Sequence, residues 1–160
     1  MIYGIDASSK TVAVTWWTGV SFMYRKYDLW DRWDTASLPW VRKVMARLLT
    51  QNNYGPDDYV FLEQPVVAGA RNIMSTLKQS YVNGVIQEVI VSYGRPCIHV
   101  PISTWKKVAA GSGSASKEDV AAAIGGRYPN LIEAFGGDQD LYDATGLCIY
   151  GRYVVEGLEG

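Results

Sequence analysis

Four carboxylates in this 160-residue chain occupy positions unlike those of ordinary surface acids. "YGIDAS" is an apolar run that closes on Asp6, and "YVFLEQP" is a second that closes on Glu63. Asp140 and Asp143, in "DLYDATG", stand three residues apart, a spacing that puts both on one face of a helix. A lone ionised carboxylate inside a protein costs several kcal/mol, and several together repel one another. A divalent cation among them reverses that balance. Hard oxygen ligands suit Mg²⁺, with Mn²⁺ as a substitute. Two such ions about 3.5–4 Å apart can activate a water and stabilise the leaving oxygen of a phosphodiester. Taken singly, each acid reads as well as a turn residue or as a helix start favoured by the macrodipole. The combination of strand end, strand end and late helix face points to a metal centre.

The elements that must position these acids follow from the hydrophobic pattern. Met1–Ala7, Thr11–Trp17 and Val20–Tyr27 read as three strands in an antiparallel meander, with Thr18-Gly19 as a short turn. Asp28–Ser37 reads as a loop, and Pro39 suits the start of a helix with Val41, Val44, Met45, Leu48 and Leu49 as its apolar stripe. Tyr59–Glu63 is a short strand buried on both faces and stopped by Pro65. A connector, "VVAGAR", leads to a long helix over Ile73–Tyr93 whose apolar stripe is too broad for one buried face. The extra face fits either a partner subunit or a central position in the core. "PCIHVP" is a brief strand, "ISTWKKVAA" a short helix, and Ser116 caps a helix over Lys117–Arg127. "YPNLIEAFGGDQ" reads as a loop with a turn of helix, and Asp140–Val155 is the last helix.

Composition sets the class. Nearly half of the residues are hydrophobic and the length suits one domain over 1–160 with its own core. The formal net charge of −1 says nothing about partners, but its distribution does. Between Gln64 and Lys117 six basic residues face the single acid Glu88, whereas beyond Ile132 six acids face only Arg152. A basic surface around an acidic pocket is the expectation. Cys97 and Cys148 lie in apolar runs and read as small buried hydrophobes of a reducing compartment. No basic-then-apolar leader opens the chain and no run is long enough to span a bilayer, so no membrane partner and a cytoplasmic location are expected.

Four segments together resemble a known family. "YGIDASSKTVAV", "FLEQP", "WKKVAAGSGSASKEDV" and "DLYDATGLCIY" are similar, in order and in spacing, to the motifs of RuvC-type Holliday junction resolvases of the ribonuclease H-like superfamily. The chain's size resembles that of compact phage-encoded members, which would place it in the host cytoplasm. The resemblance implies a mixed five-stranded α/β sheet flanked by helices and a homodimer. It also implies Mg²⁺-dependent cutting of branched DNA, above all four-way junctions, by paired nicks. Carried over by position, it makes Asp6, Glu63, Asp140 and Asp143 the ligands of two metal ions. Lys117 would then lie by the scissile phosphate and Lys106 on the DNA-binding surface. Both roles suit a lysine, whose point charge steadies a phosphate. Lys107, Arg71 and Lys78 are further DNA-contact candidates. Where cellular members carry an aromatic wedge, this chain has "PVVAGARN", whose Val66 and Val67 cannot stack on a base. A broader substrate range including forks and flaps is therefore expected.

Other features carry less. His99 alternates with Ile98 and Val100 and reads as a structural histidine. "GSGS" lacks the Gly-Lys-Ser/Thr ending of a phosphate loop and reads as a hinge. The tryptophans read as packing residues, and Asp138 stays outside the metal set. Two alternatives to the nuclease remain. An actin-like or sugar-kinase-type ATPase fragment also begins Gly-Ile-Asp but needs a second domain and an adenosine site. A non-catalytic junction-binding protein would not need all four acids.

Overall fold

The computed structural model describes residues 1–29, 37–66 and 73–157. Three strands, β1 (Ile2–Ala7), β2 (Thr11–Trp17) and β3 (Phe22–Asp28), form the expected antiparallel meander. After helix α1 (Ser37–Gln51), strand β4 (Tyr59–Glu63) pairs parallel to β1. Helix α2 (Ile73–Ser92) leads to β5 (Cys97–Val100), which pairs parallel to β4, giving the sheet order β3-β2-β1-β4-β5. Helices α3 (Ile102–Ala110), α4 (Lys117–Arg127), α5 (Asn130–Phe135) and α6 (Gln139–Glu156) complete the chain. Helix α1 starts two residues before Pro39, which sits in the first turn, where a missing N–H costs nothing.

The period of two along each strand divides the core. Tyr3, Ile5, Val12, Val14, Val60 and Leu62 pack with α1 and α2 on one face. Ile2, Ala13, Phe61 and Val100 pack with α3, α4 and α6 on the other. Asp6 is in step with Ile2 and Gly4, and Glu63 with Phe61, so both acids face the α6 side at the strand ends. Gly4 is what lets α6 approach. A Cβ there would collide with the Ala144 carbonyl and the Cys148 amide of α6.

Helix α2 carries a broad apolar stripe in sequence, and the structure divides that surface. Val82, Ile86, Val89 and Ile90 are buried, while Ile73, Met74, Leu77 and Tyr81 at its start are exposed. His99 is exposed and its Nε2 lies 2.9 Å from Gln87 Oε1 of α2. Both cysteines are free, Cys148 buried and Cys97 half-buried. Among the described residues no helix is long and apolar enough to cross a membrane.

Candidate active site

The sheet register lines up the first acids. Asp6 pairs with Ala13 and Ala13 with Lys26, so these three side chains form a row across β1, β2 and β3. On the other side, Glu63 lies one step beyond the Ile5–Leu62 pair, next to Asp6. Helix α2 ties down both strand ends from the opposite face. Gln79 Nε2 donates to Ala7 O at 3.0 Å, and Asn83 Nδ2 donates to Glu63 O at 2.9 Å. Helix α6 then delivers Asp140 and Asp143 from its first turns. Its N-cap is Asp138, whose side chain accepts from the Leu141 amide at 3.3 Å.

Each acid except Asp6 leans on a named neighbour. Asp140 Oδ2 accepts from Thr11 Oγ1 at 2.9 Å and pairs with Lys26 Nζ at 2.9 Å. Lys26 also holds Asp138, at 2.7 Å. Asp143 Oδ1 accepts from Gln139 Nε2 at 2.8 Å. Glu63 Oε2 accepts from the indole N–H of Trp105 at 2.9 Å. Trp105 is fully buried and its ring lies over Gly146 of α6, where a Cβ would strike it.

The electrostatics are those of crowded carboxylates. Burial pushes Asp6 well above the usual carboxylate range, and the charges of Glu63, Asp143 and Asp140 push it further. Burial also raises Glu63, against the Trp105 hydrogen bond, and raises Asp143, against the Gln139 hydrogen bond. Asp140 goes the other way. Burial would raise it too, but the hydrogen bonds from Lys26 and Thr11 outweigh burial and hold it low. Thus all four acids feel one another or a shared cation, and Lys117 lowers every one of the four.

These residues fit a hard divalent cation in kind: four carboxylates, three of them strained upward by burial, with all-oxygen donors. Among the described residues, no three His, Cys, Asp or Glu side chains converge on one point at ligating distance.

The basic candidates separate. Lys117 is exposed at the first position of α4, which is fixed by a capping box between Ser116 and Asp119. Lys106 is drawn into the site rather than spread on an outer surface. Its Nζ donates to Ala115 O at 2.7 Å, lies 5.8 Å from the Trp105 ring, and its charge lowers Glu63 and Asp143. Lys107, one residue on, is exposed and lines a groove between α3 and α6. Lys78 is half-buried on α2, across the sheet from α3, α4 and α6. Arg71 and Val67 lie outside the described residues.

Thr11, Lys26, Trp105 and Gln139 were not among the residues singled out from the sequence. Lys26 has a readable signal in hindsight of the register alone: it is two strands from Asp6 in the same row. The others depend on tertiary approach.

No protein-family model matches this chain, and no curated protein sequence does. Solved structures do. The RuvC structure of Thermus thermophilus aligns over 98% of this chain and 96% of that one, with a TM-score of 0.70 and 16% identity. The same organism's RuvC in complex with a Holliday junction substrate aligns over 98% of this chain and 95% of that one, with a TM-score of 0.73 and 16% identity. The chain therefore has the RuvC, ribonuclease H-like fold: a mixed five-stranded sheet flanked by helices.

Proposed function

We propose that this chain is a metal-dependent endonuclease that cleaves branched DNA, resolving four-way junctions by paired nicks within a homodimer and accepting forks or flaps. The observation that carries the reading is the mutual electrostatic contact of Asp6, Glu63, Asp140 and Asp143, brought from β1, β4 and α6, with Lys117 reaching all four. The full-length likeness to a RuvC bound to a Holliday junction substrate supports the same substrate.

Asp6, Glu63, Asp140 and Asp143 would hold two Mg²⁺ ions, with Mn²⁺ able to substitute. Bound there, the metal supplies activation of a water and stabilisation of the leaving oxygen. The chain's own residues prepare the site. Trp105 orients Glu63, Gln139 orients Asp143, and Thr11 with Lys26 orients Asp140. Lys117 offers an exposed positive charge to the negative charge developing on the phosphate. Lys106 adds a second cation beside Glu63 and Asp143.

The test is a labelled mobile four-way junction incubated with wild type or Asp6→Asn in Mg²⁺ or Mn²⁺. Metal-dependent paired nicks from wild type, lost in the variant, are expected. Binding without cutting by wild type would make the chain a non-catalytic junction binder, and ATP hydrolysis with neither would make it an ATPase fragment. Without metal, Asp6→Asn should bind the junction at least as tightly as wild type, because repulsion of the phosphates falls.

A further inference from the structure

Away from the carboxylates, an open groove of about 820 Å³ runs between α3, the end of α4 and the second half of α6. Its lining includes Ser103, Thr104, Lys107, Arg127, Tyr150 and Tyr153. A second trough, about 420 Å³, starts at Gln64–Val66, directly after Glu63, and ends on the same Ser103. Ser103 is thus common to the trough beside the Glu63 strand end and to the groove that reaches Tyr153, both of which run against α3. The loop after α3 lies so close that a Cβ at Gly113 would stand 2.9 Å from Ser103 O.

The chemistry of groove and trough is specific. Among the described residues no acidic side chain lines either part, in a chain whose net charge is −1. Lys107 and Arg127 are exposed, come from different helices, and make no salt bridge with a described residue. Tyr153 is 44% exposed, and Tyr150 is steadied by an edge-on contact with Phe61, ring centroids 5.9 Å apart. Cations, aromatic rings and hydroxyls lining one groove suit a sugar-phosphate strand whose bases are free to stack. A duplex offers phosphates but keeps its base faces stacked inside, so the rings favour an unpaired strand.

We propose that this groove carries an unpaired DNA strand leading away from the carboxylate site, so that forked substrates with a single-stranded arm are held better than fully paired junctions. The inference rests on the reading of the chain as a branched-DNA nuclease. Tyr153 lies ten residues beyond Asp143 on α6, about 15 Å along the helix axis, a span that a strand of a few nucleotides covers.

The test measures binding in EDTA to two substrates, a fully paired four-way junction and a fork with an unpaired arm of about ten nucleotides. Arg127→Ala/Tyr153→Ala should lower the fork-to-junction affinity ratio about tenfold and reduce the salt slope on the fork by about 0.7. An unchanged ratio overturns the proposal, including a uniform loss on both substrates. Should the double variant fail to fold, photocrosslinking of wild type with thiothymidine in the arm decides. Crosslinks to the peptide carrying Tyr153 support the groove, and crosslinks confined elsewhere overturn it. The outcome is independent of cutting. A chain that never nicks in Mg²⁺ yet prefers the armed fork through these residues loses the nuclease reading and keeps the groove, and the reverse pattern does the opposite.

Discussion

At the scale of single residues, the acids of the site work against the fold. A carboxyl raised above its unfolded value binds its proton more tightly when folded, so stability falls as pH rises from the unfolded pKa toward the folded one. Asp6, Glu63 and Asp143 are all raised. Asp140 is lowered, so its contribution has the opposite sign and is lost only as pH falls through its lowered value. With three against one, the melting temperature in EDTA should fall as pH rises from about 4 into the neutral range. Asp6→Asn should flatten that fall, and saturating Mg²⁺ should abolish it, because binding needs the deprotonated ligands. A melting temperature in EDTA that rises steadily over the same range would contradict the raised carboxyls. Trp105 makes a second residue-scale test. Trp105→Phe keeps an aromatic ring over Gly146 but removes the indole donor to Glu63 Oε2. A lost hydrogen bond of this kind costs about 1–2 kcal/mol of stability, and loosening a ligand's support costs about tenfold in metal affinity. The metal titration of cleavage should therefore shift about tenfold, and the denaturation midpoint should fall by the equivalent of the lost hydrogen bond.

At the scale of elements, the site depends on how closely α6 lies on β1. Gly4 has no side chain in the path of Ala144 and Cys148, and the helix it admits carries Asp140 and Asp143 to Asp6. Gly4→Ala must push α6 off the sheet, and overpacking of a core site costs about 1–3 kcal/mol or more. Urea denaturation should register that loss. Cleavage should drop further than the stability loss explains, because the acids of α6 and of β1 separate. The strands, the helices and the four acids were legible in the sequence because each obeys a local rule. Asp6 and Glu63 end apolar runs, Asp140 and Asp143 share a helix face, and Ser116 caps α4. What was not legible is contact between elements. No period in "TVAVTWW" tells that Thr11 reaches Asp140, and nothing near "STWKK" tells that Trp105 reaches Glu63 or that Lys106 folds inward onto Ala115. The roles of Gly4 and Gly146 were hidden for the same reason, since each is set by a partner more than thirty residues away in sequence.

At the scale of the molecule, one site nicks one strand, whereas resolving a four-way junction needs two symmetric nicks. A two-fold dimer matches the near two-fold symmetry of that substrate. Helix α2 offers the surface. Ile73, Leu77 and Tyr81 recur every four residues, so they form one stripe, and they are 46%, 44% and 55% exposed, with Met74 beside them at 64%. A stripe of this kind on a helix whose other face is already buried in the core suits a second copy of the same helix, self-complementary about the axis. The same helix braces the strand ends of both acids through Gln79 and Asn83, so pairing there would stiffen the two sites together. Leu77→Glu places a charge in the middle of the stripe and touches neither brace. Sedimentation velocity should find wild type as a dimer and Leu77→Glu as a monomer with an unaltered circular dichroism spectrum. On a supercoiled cruciform, wild type should give linear product from two nicks within one encounter. The variant should release nicked circles first, with linear product following only after a second encounter. A monomeric wild type, or a dimeric Leu77→Glu, would remove α2 as the interface.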